Sequence, residues 1–112
     1  MTRSNLHIKL SNSKSIICVA DSDSGPEQGY IVERLILPLL EFGNSQKELA
    51  LLSEHCTMGE RRCNAKYRYV INLITKEVRL FEERFNYEKW SFRKPKDITR
   101  RYNDYIRSIR KA

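Results

Sequence analysis

The fold is decided by residues 66–85, which read KYRYVINLITKEVRLFEERF. Tyr67, Tyr69 and Ile71 alternate with Lys66, Arg68, Val70 and Asn72, all polar except Val70, which is close to the period-two pattern of a strand with one buried face. A polar turn at residues 75–77 then leads into a second run of apolar and charged residues. We therefore predict a β-hairpin in which the two tyrosines belong to the core and the alternate basic residues face solvent.

A second hairpin is predicted at the N-terminus. Residues 6–10 alternate apolar and polar side chains, residues 11–14 are turn-forming, and residues 15–20 are an apolar, β-branched run. A continuous apolar run is typical of a more central strand. Two interpretations stay open for residues 86–92, which form either a short third strand after the hairpin of residues 66–85 or an ordered loop.

Two helices are predicted between the hairpins. Residues 30–42 carry apolar side chains on two adjacent faces, as in a largely buried helix, and Pro38 predicts a kink or a division into two short helices. A second helix is expected over residues 46–57. Ser45 and Glu48 fit the capping-box pattern there, in which the two side chains satisfy free amides at a helix N-terminus.

The C-terminal segment predicts an amphipathic helix. Asp97 is a suitable N-cap for it. Its apolar stripe recurs at helical spacing and consists of Ile98, Tyr102, Tyr105, Ile106 and Ile109. The opposite face is cationic, and its basic residues are Arg100, Arg101, Arg107, Arg110 and Lys111. This helix therefore offers one face to the core and a charged face to solvent or to a partner.

The predicted element order is β-β-α-α-β-β-(β)-α, in a single domain that spans residues 1–112. Strands that occur as hairpins separated by helices are typical of the α+β class. We expect a mainly antiparallel sheet built from two hairpins, with the helices packed on one face. A chain of 112 residues can build one hydrophobic core. It is too short for a full (β/α)₈ barrel, which needs about 250 residues.

The charge of the chain is unevenly distributed. The formal net charge is +7, yet residues 1–60 hold 5 basic and 8 acidic residues, and residues 61–112 hold 16 basic and 6 acidic residues. The first part is therefore at −3 and the second at +10. A basic excess confined to one part of a chain indicates either a polyanionic partner or a solvated surface that keeps the chain soluble. A partner meets that excess in full only if the two parts fold into opposed surfaces.

The favoured hypothesis is a small non-catalytic module whose basic C-terminal half contacts a polyanion, with nucleic acid as the first choice. Basic residues mixed with aromatic ones, as around Trp90 and Phe92, suit phosphate contacts combined with base stacking. The candidate residues for binding nucleic acid or an acidic partner are Arg61, Arg62, Lys66, Arg68, Lys89, Trp90, Arg93, Lys94, Lys96, Arg100, Arg101, Arg107 and Arg110.

Two other classes stay open. One is a protein–protein module, an inhibitor, immunity or accessory protein of bacterial or mobile-element type. It would dock an acidic partner with the same cations, or pair with a second copy as a homodimer. The other is a metal-dependent phosphotransfer enzyme that uses Asp21 and Asp23, two carboxylates at a strand end. Such an acidic stretch is more typical of a solvated turn, so we expect no enzyme activity, no cofactor and no metal.

The remaining motifs indicate a cytoplasmic protein. His55, Cys56 and Cys63 lack the paired spacing of a structural zinc site. The N-terminal residues do not form a secretory signal, and no apolar run reaches the length of a membrane span. Three cysteines, an odd count without a secretory signal, predict reduced thiols in a cytoplasmic setting. Since no apolar run is long enough to span a membrane, we also expect no membrane partner.

Overall fold

A computed structural model of the chain describes residues 2–21, 24–28 and 30–110. The strands within these residues are β1 (Ser4–Lys9), β2 (Ser15–Ala20), β3 (Thr57–Met58), β4 (Tyr67–Asn72), β5 (Glu77–Glu82), β6 (Phe85–Asn86), β7 (Ser91–Phe92) and β8 (Lys96–Asp97). The α-helices are α1 (Leu37–Phe42), α2 (Ser45–His55) and α3 (Thr99–Arg110). A 3₁₀ turn (Pro26–Gln28) and a π-helical segment (Ile31–Ile36) precede α1.

The main sheet is mixed, although most of its pairings are antiparallel. Its strand order is β3-β2-β1-β4-β5-β8, and β6 pairs with β7 in a separate small sheet. Both predicted hairpins are present as the antiparallel pairs β1–β2 and β4–β5. The two hairpins join through β1 and β4, which run parallel from Ser4 opposite Tyr67 to Lys9 opposite Asn72. The prediction of mixed α and β structure with a mainly antiparallel sheet is therefore confirmed, and the parallel pair is an addition to it.

The core lies on one face of this sheet, which we call the helix face. Side chains of alternate strand residues such as Leu6, Tyr69 and Leu80 point there and are fully buried. The helices cover them with Leu39 and Ile106 and with other apolar residues. Tyr67, Tyr69 and Ile71 are all buried, as the alternation predicted. The other face, here the open face, carries the intervening residues of each strand.

The helix that contains Pro38 changes its winding instead of breaking. The amide of Leu37 donates to the carbonyl of Val32, a bond that closes the π-helical segment, and α-helical bonding begins there. Pro38 sits in the first turn of α1 and has no amide hydrogen to donate to the preceding turn, so the change from π-helical to α-helical winding falls beside this missing donor. Gly43 ends the helix in the left-handed conformation, with a φ of 60°.

The prediction that Ser45 and Glu48 form a capping box at the N-terminus of α2 is wrong. Asn44 is the N-cap, and its side-chain oxygen accepts hydrogen bonds from the amides of Gln46 and Lys47 at 2.9 and 3.1 Å. Glu48 is fully buried and accepts instead from the amide of Ser11 at 3.0 Å and from the Ser11 hydroxyl. The carboxylate therefore joins α2 to the turn between β1 and β2, a contact without a local signature.

Residues 86–92, for which the sequence allowed a short strand or an ordered loop, contain a strand in the structure. Residues 86–92 hold the turn and second strand of a β6–β7 hairpin, and β8 pairs with the end of β5. The carboxylate of Asp97 accepts from the amide of Thr99 at 2.9 Å, so the predicted residue caps α3. None of the described helices combines the length and apolarity that crossing a membrane requires.

Replacing Glu48 tests this description of the core. Glu48→Ala leaves the Ser11 amide and hydroxyl without their acceptor, so we expect the free energy of unfolding to fall by about 2–3 kcal/mol. Glu54→Ala, on an exposed position of the same helix, should change it by less than about 0.5 kcal/mol. Urea denaturation measures both values. Equal losses in the two variants would contradict the assigned role of Glu48.

Candidate functional site

One end of the open face is covered by residues 59–66, which we call the crossover segment. It begins where the amide of Gly59 donates to the carbonyl of Ile17, and it ends where the amide of Lys66 donates to the carbonyl of Arg3. These bonds, at 2.8 and 2.9 Å, carry the chain from the β2 side of β1 to β4. The segment places Arg61 and Arg62 above the sheet.

Asn5 holds the crossover segment in place. Its carboxamide oxygen accepts from the Arg62 amide at 2.7 Å, and its nitrogen donates to the Arg62 carbonyl at 2.9 Å. The same nitrogen donates to the Glu83 carboxylate at 2.9 Å. Asn5 is 1% exposed, so these bonds form without competition from water. One side chain thus links β1, the crossover segment and the chain after β5.

The Glu83 carboxylate lies at the centre of a basic cluster. Its side chain is 1% exposed, and it lies 3.4 Å from the Arg61 guanidinium and 4.0 Å from that of Arg68. Nε of each of Arg61, Arg62 and Arg68 is buried and has no hydrogen-bond partner within the described part of the chain. Arg62 pairs with other carboxylates, Glu60 at 3.0 Å and Asp21 at 3.7 Å. Glu83 is therefore shared by two cations, Arg61 and Arg68, and this group of three keeps a positive charge.

The pKa of His7 is lowered by burial and by the positive charge of this cluster. It lies on the open face, and its buried Nε2 has no hydrogen-bond partner among the described residues. Burial, followed by the charges of Arg61 and Arg68, holds the pKa of His7 below its ordinary value of 6.5, and Glu83 offsets part of this effect. His7 thus favours the neutral form.

Residues 85–92 form an aromatic hairpin beside this cluster. Its turn is held by the side-chain oxygen of Asn86, which accepts from the amides of Glu88 and Lys89 at 3.0 and 3.2 Å. The ring of Phe85 is at the centre of an edge-to-face cluster, with centroids 5.0–5.3 Å from those of Tyr87, Trp90 and Phe92. The aromatic rings of this segment therefore pack on each other instead of joining the main core.

Two of those rings remain exposed. Trp90 is 71% exposed and Tyr87 is 59% exposed. The Arg61 guanidinium lies over the ring of Phe92, with Cζ 3.5 Å from the ring centroid. A cavity of about 370 Å³ lies at this contact, and it is lined by Arg61, Cys63, Phe85, Trp90, Ser91 and Phe92. The hairpin therefore presents aromatic faces and a hollow on the side of the molecule that carries the crossover segment.

Exposed cations flank the aromatic hairpin. Lys89, Arg93 and Lys94 are exposed, and none of them forms an ion pair with a residue that the structure describes. The Arg93 amide donates to the carbonyl of Arg84 at 2.8 Å, which extends the hairpin pairing by one step. The charge of these three side chains is therefore available to an outside ligand.

The candidate residues on α3 lie elsewhere. Helix α3 packs on the helix face through Tyr102 and Ile106. Arg101 donates to Glu27 at 2.7 Å and to the Tyr67 hydroxyl at 2.8 Å, and Arg107 pairs with Asp104. The thirteen predicted residues thus do not share one surface. On the open-face side the structure brings together Arg61, Arg62, Arg68, Lys89, Trp90, Arg93 and Lys94.

The remaining candidates occupy intermediate or opposite positions. Lys66 is at the end of the sheet, with Nζ 5.5 Å from the Tyr67 ring centroid, and Lys96 is exposed on the edge strand β8. The set on α3 is Arg100, Arg101, Arg107 and Arg110. The acidic and basic parts of the chain interleave, since Arg62 lies 3.7 Å from Asp21. The basic part therefore does not present its full excess on one surface.

Asn5, Glu83 and Tyr87 are site residues that sequence reasoning missed. Asn5 and Glu83 are separated by most of the chain, so no local pattern joins them. Tyr87 had a signal, because four aromatic residues fall within residues 85–92. That density, which ordinary turns lack, could have identified the whole hairpin.

The acidic stretch after β2 is only partly described. The Asp21 carboxylate accepts from the Thr57 hydroxyl at 3.0 Å and lies 3.6 Å from Arg3. Asp23 lies outside the described residues. Among the residues that are described, no three His, Cys, Asp or Glu side chains gather in a group that could hold a metal ion.

No known protein family, curated protein or solved structure matches this chain. Its function is therefore argued from the chemistry of the open-face side.

The depressed pKa of His7 predicts a pH dependence of folding. Because the unfolded residue titrates near 6.5 and the folded one below it, protonation favours the unfolded chain. This contribution to stability is present above pH 6.5 and is lost as the pH falls from 6.5 toward the folded pKa. His7→Gln should remove that part of the loss, whereas His55→Gln should keep it. Urea denaturation between about pH 7 and pH 5.5 measures the effect. Identical pH profiles of the two variants would contradict it.

Proposed function

We propose that this protein is a non-catalytic module that binds nucleic acid with the side of the molecule formed by the crossover segment and the aromatic hairpin. The observation that carries the proposal is a set of exposed cations, Lys89, Arg93 and Lys94, that form no ion pair with a described residue and lie next to the exposed Trp90 along the chain. Cations bind phosphates and release their counterions, and exposed rings offer stacking surfaces. The combination suits a nucleic acid better than a polyanion that has no bases.

The basic cluster beneath the hairpin supports the same surface. Arg61 and Arg68 share the carboxylate of Glu83, so positive charge remains after that pairing. Arg61 also connects the cluster to the hairpin through its contact with Phe92. A phosphate backbone that follows the hairpin would therefore continue to meet positive potential at the crossover segment.

The charges on α3 support the proposal less. Arg101 and Arg107 each have a carboxylate partner within the chain, Glu27 and Asp104. Arginines that are already paired release less free energy to a new anion, because their present partner must be given up or shared. Arg100 and Arg110 are exposed and form no ion pair with a described residue, but α3 carries none of the exposed aromatic side chains of the described part of the chain. We therefore assign phosphate contacts to the hairpin side and not to the cationic face of α3.

Matched charge removal tests the assignment. The triple variant Lys89→Gln/Arg93→Gln/Lys94→Gln should lower the affinity for nucleic acid by about tenfold or more at low salt, because each substitution removes a phosphate contact. The log–log slope of affinity against salt should shrink by about 2–3 units. Fluorescence anisotropy of labelled RNA and of single-stranded and duplex DNA measures both quantities.

The control removes the same charge from α3. Arg100→Gln/Arg107→Gln/Arg110→Gln should bind nucleic acid to within about twofold of the unmodified protein, with an unchanged slope. A larger loss in this control than in the hairpin variant would contradict the assignment. Salt-insensitive or absent binding by the unmodified protein would contradict nucleic-acid binding itself. It would favour the alternative, an acidic protein partner that uses the same cations.

A further inference from the structure

We infer that the ligand is single-stranded nucleic acid, and that the cavity beside Trp90 receives one of its unpaired bases. This inference rests on the proposed function and makes it specific. Duplex nucleic acids keep their base faces inside the stack, so only unpaired bases can stack on protein side chains. Three features of the molecule support this inference: the turn that exposes Trp90, the walls of the cavity, and the cations next to its lining residues along the chain.

The backbone places Trp90 where a smaller residue is favoured. Its φ is 50°, in the left-handed region that glycine and asparagine adopt readily and that bulky residues rarely occupy. The indole is 71% exposed, so burial gives little compensation for this conformation. Ser13 and Lys76 take the same left-handed conformation in the turns of the other two hairpins, so the conformation belongs to the turn. What distinguishes this turn is that it places a large, exposed aromatic ring there, where it can contact a ligand.

The cavity walls suit a flat aromatic ligand. Trp90 and Phe85 contribute rings that meet edge to face, with centroids 5.3 Å apart. Arg61, stacked on Phe92, adds a planar guanidinium. Bases stack on aromatic rings and on arginine planes in single-strand recognition. The volume of about 370 Å³ is near the lower end of the usual range for small-ligand pockets, roughly 300–1,000 Å³, which suits one base.

Cations next to the cavity-lining residues along the chain suit the phosphate backbone of a nucleic acid whose base enters the cavity. Lys89 precedes Trp90, and Arg93 and Lys94 follow the second strand of the hairpin, all exposed and without an ion pair to a described residue. The three cations are neighbours in sequence of the lining residues Trp90 and Phe92, so the phosphates on either side of a base in the cavity would pass close to them. The site therefore combines stacking with phosphate neutralisation over one nucleotide and its neighbours.

Trp90 is the one tryptophan of the chain, so its fluorescence reports on this cavity alone. The probes are oligothymidylate, oligouridylate, a DNA duplex of the same length and inorganic polyphosphate. We expect both single strands to quench Trp90 as they bind, whereas the duplex and polyphosphate bind more weakly and leave its emission nearly unchanged.

Variants separate stacking from charge. Trp90→Ala should lower the affinity for oligothymidylate by about five- to 150-fold, the loss that corresponds to one stacked base. Trp90→Phe should recover most of it, because a stacking ring is restored. Phe42→Ala removes an exposed aromatic ring at the end of α1 and should leave the affinity within about twofold. Anisotropy of labelled oligothymidylate measures all three variants.

The outcomes distinguish this inference from the proposed function. Salt-dependent binding of single strand and duplex with equal affinity, without quenching and without an effect of Trp90→Ala, would overturn the inference and leave nucleic-acid binding intact. Absence of binding to every nucleic acid would overturn both. Quenching by single strands together with the loss in Trp90→Ala and its recovery in Trp90→Phe supports the inference.

Discussion

The arrangement of the site depends on the hydrogen bonds of the buried Asn5 carboxamide. It fixes the backbone of Arg62 through a pair of hydrogen bonds and also donates to Glu83, so it joins three segments that are distant in sequence. The first of these segments is the central strand β1, which provides a rigid base. The second carries Arg61 over the sheet, and the third leads from Glu83 into the aromatic hairpin. The contact between Arg61 and Phe92 follows from that anchoring.

The Glu83 carboxylate beside Asn5 is buried, which has an energetic cost that its neighbours must offset. Burying Glu83 removes a carboxylate from water, which is unfavourable unless hydrogen bonds and cations replace the lost hydration. Asn5, Arg61 and Arg68 provide that replacement. The charge of Arg61 and Arg68 exceeds that of the carboxylate, and it adds to burial, the larger cause, in lowering the pKa of the neighbouring His7. The same excess extends a positive surface toward the exposed cations of the hairpin, so the network that holds the segment also shapes its electrostatics.

The sequence predicts those features that have a local pattern. Alternation over residues 66–85 identifies a hairpin and its buried tyrosines, and helical spacing identifies α3. Pairing of β1 with β4 has no such pattern, because it joins strands about 60 residues apart and depends on the path of the crossover segment. Glu48 fits a local capping motif in the sequence, but its carboxylate accepts a hydrogen bond from Ser11 in the turn between β1 and β2. That contact joins residues distant in the chain, so no local pattern predicts it. The basic residues of the site were identifiable from composition, whereas their division between the two faces of the sheet depends on packing.

The central claim is that nucleic acid contacts the open-face side and leaves α3 free. Amide chemical shifts in a ¹⁵N-labelled sample, titrated with oligothymidylate, test it most directly because every segment reports at once. The account predicts the largest changes in residues 59–66 and 84–94 and in the indole N–H of Trp90, with residues 99–110 nearly unchanged. Changes concentrated on α3, or spread evenly over all basic residues of both faces, would contradict it.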